Sequence, residues 1–422
     1  MAELRGRSIC VMSLTHHFPI SFSQLPYLST SACLSGGKHS GPKRTLVNTL
    51  QPATCHLQPK TTMINYQQPF LLLPNRVWRT YQGGAILDQL SGSATPTDSH
   101  FPEDWVGSAT RAVNPGREHL AGEGIGQAQD GNGHTYSMTE LYTTDPTLAL
   151  GSAHVAAYGA QPYLLVKLLD SAMRLHIQAH PSVAWARQHL QAQSGKTEAW
   201  WILHTRTDDA FVYMGCQHPP TPMAWKQMID QQNLTAIEAC FEPIPVRPGD
   251  VLLVEGGVPH AIGPGITMIE IQEPTDYVVR CEYAHGGLAL PESARTMGLG
   301  LDNVLDLFDY TAYPATTVKT RFGPQIQSIE ATSMGREEAL LTIPQTDRLE
   351  LRRIETTGRF ALALDGRFSI VIVMAGTGML IGDGVKIPLQ PWTRLLLPAA
   401  LHSVQIEGDL TLARCLPPMP TV

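Results

Sequence analysis

From Gln161 to Tyr283 the chain is cut into apolar runs of strand length, each closed by turn-forming residues. Tyr163 to Leu169, Arg174 to Ala179, Glu198 to His204, Asp250 to Val254 and Ile266 to Gln272 are too short for helices and rich in β-branched or aromatic side chains. With 36 glycines and 32 prolines among 422 residues, the remainder is equally interrupted, which favours β architecture. No apolar run approaches the roughly 20 residues that cross a bilayer, so no membrane-spanning segment is expected.

The same punctuation divides the chain. Residues 1–62 carry one acidic residue, Glu3, and no sustained period, so they are expected to lie outside the fold, as an over-long start ahead of Met63 or as a targeting leader. Residues 63–285 form the first β-rich part, with one or two helices between Phe70 and Val155. Residues 286–335 read as a helical connector, because Leu301, Val304, Leu305 and Phe308 fall three and four apart between Pro291 and Tyr310. Residues 336–422 form a second sandwich or barrel, with turns at Asp365-Gly366, Gly376-Thr377-Gly378 and Gly382-Asp383-Gly384.

Charge narrows the function classes. A net charge of -7 without a Lys/Arg block excludes a dominant nucleic-acid surface. Seven cysteines are scattered and never spaced as CxxC, so they read as reduced intracellular thiols in a cytoplasmic protein.

One constellation carries chemistry. In Arg174-Leu-His-Ile-Gln-Ala-His-Pro181 the apolar Leu175, Ile177 and Ala179 alternate with His176, Gln178 and His180, so an extended chain places Gln178 and His180 on one face. Glu198 opens the next strand-like run, on the parity of Trp200, Ile202 and His204, and His260 follows a Gly-Gly turn. Two imidazoles, one carboxylate and one amide oxygen form a mixed N/O donor set suited to zinc, manganese, cobalt or iron. Glu270 lies on the opposite parity from Ile269 and Ile271, and Asp276, Val278 and Arg280 share a parity if 275–281 is extended; Asp276 and Arg280 are then candidates for an ion pair. Glu270 is a candidate general acid/base, or a buried carboxylate paired with Arg280 or Lys167. Trp200 and Trp201 face opposite ways.

The order Gln178-Ala-His180-Pro181, Gly195-Lys-Thr-Glu198, Pro259-His260-Ala-Ile-Gly and Glu270 to Arg280 resembles the type I phosphomannose isomerase family, in its compact bacterial-like form. The likeness takes in Leu164 to Asp170 and, more weakly, the chain from Asn65 onward. It implies a mainly β protein of two cupin-type jelly-roll barrels with a small helical segment between them. The second barrel would lack a complete metal site, since Leu401-His402-Ser403 echoes Val258-Pro259-His260 without the other ligands. It implies one zinc ion on Gln178, His180, Glu198 and His260, a sugar-phosphate substrate, and interconversion of mannose 6-phosphate with fructose 6-phosphate. Arg280 and Lys196 would steady the anionic intermediate or the phosphate, with Asp276 beside Arg280. Glu103 to Ser108 resembles a segment at the family's cleft. Arg280 is followed by Cys-Glu-Tyr-Ala-His where longer members carry a basic segment, so the phosphate ligands are not identified. A non-catalytic sugar-binding cupin, or a cupin isomerase or epimerase for another sugar, is the alternative.

Overall fold

The computed structural model describes residues 63–420. Residues 1–62, with the expectation that they stand apart from the fold and with Cys10, Cys33 and Cys55, lie outside the described residues, as do 421–422.

Three antiparallel sheets make up the molecule. A six-stranded sheet runs in the order Val251–Val254, Glu198–Thr205, Ile266–Gln272, Leu165–Asp170, Glu103–Val106 and Arg76–Val77. A five-stranded sheet runs Ile244–Pro245, Phe211–Met214, His260–Ile262, Gln178–Ala179 and Val279–Arg280. The third, ten-stranded sheet is built on the long strands Glu350–Ala361, Ser369–Gly382 and Gln405–Leu416.

Side-chain alternation explains how the sheets stack, because successive residues of a strand face opposite ways. Leu169, Trp200, Ile202, Leu252 and Met268 of the six-stranded sheet meet Val212, Met214 and Ile262 of the five-stranded sheet in one core. The opposite face of the six-stranded sheet, with Leu168, Trp201, Leu253 and Ile269, packs on Phe70, Leu351, Ile370, Ile372 and Leu396 of the ten-stranded sheet. Val371, Val373, Leu395 and Leu412, shifted by one residue, enclose a separate interior. Trp200 and Trp201 thus occupy different cores, which buries the six-stranded sheet on both faces. The outer face of the five-stranded sheet, with Ile177, Ala179, Tyr213 and Ala261, is covered by Trp185, Trp225, Ile229 and Phe308. The architecture is mainly β, with two cupin-type jelly-roll units.

The expected division at 285 and 336 meets a topological fact. Phe70–Leu72 pairs with the strand Arg394–Leu397 on one side and Gln127–Gln129 on the other, so segments from the N-terminal part extend the sheet of the C-terminal strands.

Several local expectations change. Between Pro291 and Tyr310 there is no α-helix but three short 3₁₀ turns, Glu292–Ala294, Leu301–Asn303 and Leu305–Leu307. The apolar spacing was real, since Val304 and Phe308 are buried, but Gly298 and Gly300 hold positive φ and prevent a continuous helix. The expected connector 286–335 does contain an α-helix, Ala315–Phe322, beyond the apolar stretch that was read as helical. Gly376-Thr377-Gly378 is not a turn: it lies within Ser369–Gly382, beside a register shift between Val373 and Ala375. A Cβ on Gly376 would sit 1.9 Å from the Asp409 carbonyl oxygen across the ladder, so close strand approach, not chain reversal, demands that glycine. Gly382-Asp383-Gly384 does reverse the chain. Gly382 pairs with Val385, leaving Asp383 and Gly384 at φ 45° and 85° as a two-residue hairpin loop. From Phe70 to Val155 there are four short helices rather than one or two.

No helix among the described residues is long and apolar enough to cross a membrane. The four described cysteines, Cys216, Cys240, Cys281 and Cys415, are buried free thiols.

Candidate active site

The candidate ligands come from both sheets of the first unit. Glu198 begins the strand Glu198–Thr205 of the six-stranded sheet. Gln178 and His260 are register partners in the five-stranded sheet, and His180 follows one residue beyond the strand Gln178–Ala179. Strand pairing brings Gln178 and His260, 82 positions apart, together, and the facing six-stranded sheet adds Glu198. His180 Nε2 is 3.3 Å from Glu198 Oε2, and His260 Nε2 is 3.5 Å from Glu198 Oε1. Ligand atoms of His180, Glu198 and His260 all lie within 4.8 Å of one another, and the side-chain amide of Gln178 reaches 3.5 Å from His260 Nε2.

The backbone fixes both rings. His180 Nδ1 is 2.8 Å from the Tyr277 carbonyl, and His260 Nδ1 is 2.8 Å from the Val258 carbonyl. A carbonyl only accepts, so each Nδ1 carries the proton and each Nε2 turns its lone pair to the centre. Burial and the neighbouring Lys196 ammonium push His180 down to about 3, keeping the ring neutral. Burial works against an ionised Glu198, but Lys196 and His180 outweigh it and hold the carboxyl well below its usual range. Glu198 Oε1 accepts from Trp200 Nε1 at 3.0 Å, whereas buried Oε2 receives no hydrogen bond. An unsatisfied carboxylate oxygen between two locked imidazole lone pairs fits a borderline divalent cation, with an amide oxygen available from Gln178.

Beside this centre lies a charged cavity lined by Arg79, Lys167, Lys196, Arg280, Glu103 and Glu270, with His176 and Gln178 at its wall. Cross-strand register sets its floor: Lys167 is paired with Glu270 on one side and with Trp105 on the other. Lys167 Nζ lies 2.7 Å from Glu270 Oε1 and 3.5 Å from Glu103 Oε2. Glu103 also accepts from Tyr81 Oη at 2.7 Å and Trp105 Nε1 at 2.6 Å. Burial pushes Glu270 up, and Lys167 only partly offsets this. Lys196, 4% exposed, lies 3.1 Å from His180 Nε2 and 3.4 Å from Glu198 Oε2, and burial holds its pKa below the ordinary lysine value.

Arg280 and Asp276 are both present, but not as an ion pair. Asp276 is gripped by Arg79 through two bonds of 2.8 and 3.0 Å and accepts from the Val113 amide at 3.0 Å. Only Val279–Arg280 is strand, and the bend at 273–278 turns the two side chains to different partners. Arg280 donates to the Ala294 carbonyl at 2.6 Å and pairs with no carboxylate among the described residues; burial lowers it to about 10. The ligand segment also departs from strict alternation. Ile177 and Ala179 face outward, but Leu175 joins the inner core, because 173–177 is not strand.

Arg79, Tyr81 and Glu103 were absent from the sequence-derived list. Glu103 opens the Glu103–Ser108 segment; Ser108 at its other end bonds Thr110 and does not line the cavity. Strand parity from Glu103 to Lys167 was the available signal. His402, the counterpart of His260 in the C-terminal echo, is exposed, and the His180, Glu198 and His260 group is the metal-competent cluster found among the described residues.

Comparison with known proteins finds relatives that share this fold. Residues 341–417 match the family model for the mannose-6-phosphate isomerase cupin domain. The Bacillus subtilis protein named "Probable mannose-6-phosphate isomerase GmuF" is 27% identical over 248 residues, covering 58% of this chain and 72% of its own. A mannose-6-phosphate isomerase of Streptococcus mutans is 25% identical over 283 residues, covering 66% and 83%. The crystal structure of the mannose 6-phosphate isomerase from Bacillus subtilis superposes with a TM-score of 0.64 at 21% identity, over 83% of this chain and 99% of that one, which shows the shared fold. The chain thus carries a mannose-6-phosphate isomerase cupin domain at 341–417 and is similar over most of its described length, in sequence and in fold, to mannose-6-phosphate isomerases.

Proposed function

We propose that the protein is a zinc-dependent aldose-ketose isomerase that interconverts mannose 6-phosphate and fructose 6-phosphate in the cytoplasm, with Gln178, His180, Glu198 and His260 as metal ligands. The names of its relatives supply the substrate, and the resemblance of the ligand motifs supports the metal. The observation that carries the reading is the adjacency of the His180, Glu198 and His260 cluster to a cavity holding a proton-accepting carboxyl and an uncompensated guanidinium.

The reaction moves one proton from C2 to C1 and another from O2 to O1. Glu270 is the group to shuttle the carbon-bound proton. Burial raises its proton affinity, and Lys167 holds it in place, which suits a general acid/base. Arg280, lacking a carboxylate partner, is free to offset the negative charge of an enediolate. Lys196 supplies a second positive charge at the centre. Asp276 positions Arg79, which in turn steadies Glu103 behind Lys167. When bound, a divalent cation polarises sugar oxygens as a Lewis acid without changing redox state. We also keep 63–285 as the metal-binding unit, 286–335 as connector and 336–422 as the second cupin-like unit.

The test is a coupled assay for ketose phosphate across mannose, glucose and other aldose phosphates, with bound metal quantified. Turnover of mannose 6-phosphate by metal-replete protein is expected. Sugar-phosphate binding without any product would instead identify a sugar-binding cupin, and turnover of a different aldose alone would reassign the substrate.

A further inference from the structure

Three histidines of the first unit are built in one way. In His180 and His260 the Nδ1 proton is given to a backbone carbonyl and Nε2 faces the centre. His176 repeats the device: its Nδ1 is 2.9 Å from the Glu282 carbonyl, so its Nε2 is a lone-pair acceptor. The ring is 3% exposed, lines the charged cavity, and its Nε2 has no hydrogen-bond partner. It stands outside the group whose ligand atoms cluster within 4.8 Å.

Its support is unusually complete. Arg174 clamps the Glu282 carboxylate with bonds of 2.8 and 2.7 Å, and the same carboxylate accepts from the Ile177 amide at 2.6 Å. The neighbouring His285 ring packs edge-on at 5.4 Å. A buried polar atom left without a partner is destabilising, so a ring held rigidly with one nitrogen empty toward a cavity is set for a ligand donor.

The other cavity groups narrow what that donor is. Arg79, Lys167, Lys196 and Arg280 only donate, and Glu103, Glu270 and Asp276 accept from the chain's own side chains. His176 Nε2 is a neutral acceptor among them with no commitment. We infer that His176 is a specificity-determining residue whose Nε2 accepts a hydrogen bond from a hydroxyl of the bound sugar. The inference rests on the proposed sugar-phosphate site and adds to it the reading of one hydroxyl.

The experiment compares wild type with His176→Asn, which keeps a group at the Nδ1 position for the Glu282 carbonyl but has nothing at Nε2, and with His176→Gln, which restores an acceptor there. Each is assayed on mannose 6-phosphate and its 3-deoxy and 4-deoxy analogues. One analogue is expected to lose about tenfold in kcat/KM with wild type and with His176→Gln, and to lose nothing further with His176→Asn. Equal penalties for every analogue in wild type and His176→Asn would overturn the inference, because a purely structural histidine does not couple to one hydroxyl. Calorimetry with mannitol 6-phosphate, which cannot isomerise, reads the same contact without turnover. Weaker binding to His176→Asn supports the inference even if wild type converts no mannose 6-phosphate, and unchanged binding overturns it.

Discussion

Both jelly-roll units bury charged side chains, and they use them in opposite ways. Inside the second unit, Arg352 and Arg414 on its strands and Arg367 just before Ser369–Gly382 meet Glu337 and Glu350, with Asp365 beside them. Arg414 donates to Glu337 at 2.9 Å, to the Ala363 carbonyl at 2.8 Å and to Ser369 at 3.1 Å. Arg352 bridges Glu350 at 2.8 Å and Glu337 at 3.2 Å, and Arg367 closes the chain on Glu350 at 2.7 Å. Each guanidinium is tied to a carboxylate. In the first unit Arg280 has none, Glu198 Oε2 receives no hydrogen bond and His176 Nε2 has no partner. Glu337 Oε2 and Arg414 Nη2 also make no hydrogen bond, but every guanidinium there is paired; a paired buried network specifies structure, whereas charge left unpaired beside a cavity is available to a ligand.

The largest effect expected is at the metal centre. Glu198→Ala removes the anionic ligand, and since losing a supporting contact alone costs about 10–100-fold in metal affinity, this variant should lose more than that together with turnover. Metal content of the purified protein checks it, and unchanged content removes Glu198 from the ligand set. Next, Glu270→Gln keeps a side chain that can accept from Lys167 but cannot carry the proton. We expect kcat to fall about 10²- to 10⁴-fold with metal content and melting temperature nearly unchanged.

The second unit should answer differently. Glu337→Ala strands Arg414 and Arg352 and should destabilise the protein by about 3–5 kcal/mol in denaturant titration, while the KM of the folded fraction stays the same. A Glu337→Ala variant of unaltered stability but impaired turnover would reverse the assignment of the two interiors. The smallest effect is a pH slope. Burial raises Glu350, but Arg352 and Arg367 outweigh it and leave its carboxyl below the usual range. A carboxylate depressed in the folded state contributes stability above its unfolded value, near pH 4.5, that disappears as pH falls through the folded value. Glu350→Gln should therefore flatten the acid limb of stability below about pH 4.5 without altering its shape at pH 6–8.

The candidate ligands were nominated partly by local rules: Gln178 and His180 are two residues apart beside a strand, and Glu198 and His260 stand at strand starts. Spacing alone left their role open, and the family resemblance singled them out. The helix expected between Pro291 and Tyr310 failed for a comparable reason: its apolar spacing recorded burial, but burial alone does not select α over 3₁₀ when Gly298 and Gly300 interrupt the backbone. Gly376 showed the same ambiguity, since a glycine serves a reversal or a close strand crossing equally well.

What the sequence determined by itself was the β architecture, the hairpin at Asp383-Gly384 and the side chains able to bind a cation, all of which follow from alternation, turn residues and donor chemistry within short windows. Only the tertiary structure decided that Arg79, not Arg280, neutralises Asp276, that Lys167 serves both Glu103 and Glu270, and that His176 keeps an open nitrogen. Those partners lie 197, 103 and 106 residues apart along the chain. Strand register within one sheet joins Lys167 to Glu270, and loops brought together by the fold join the other pairs; both depend on summed burial across whole faces rather than on any local pattern.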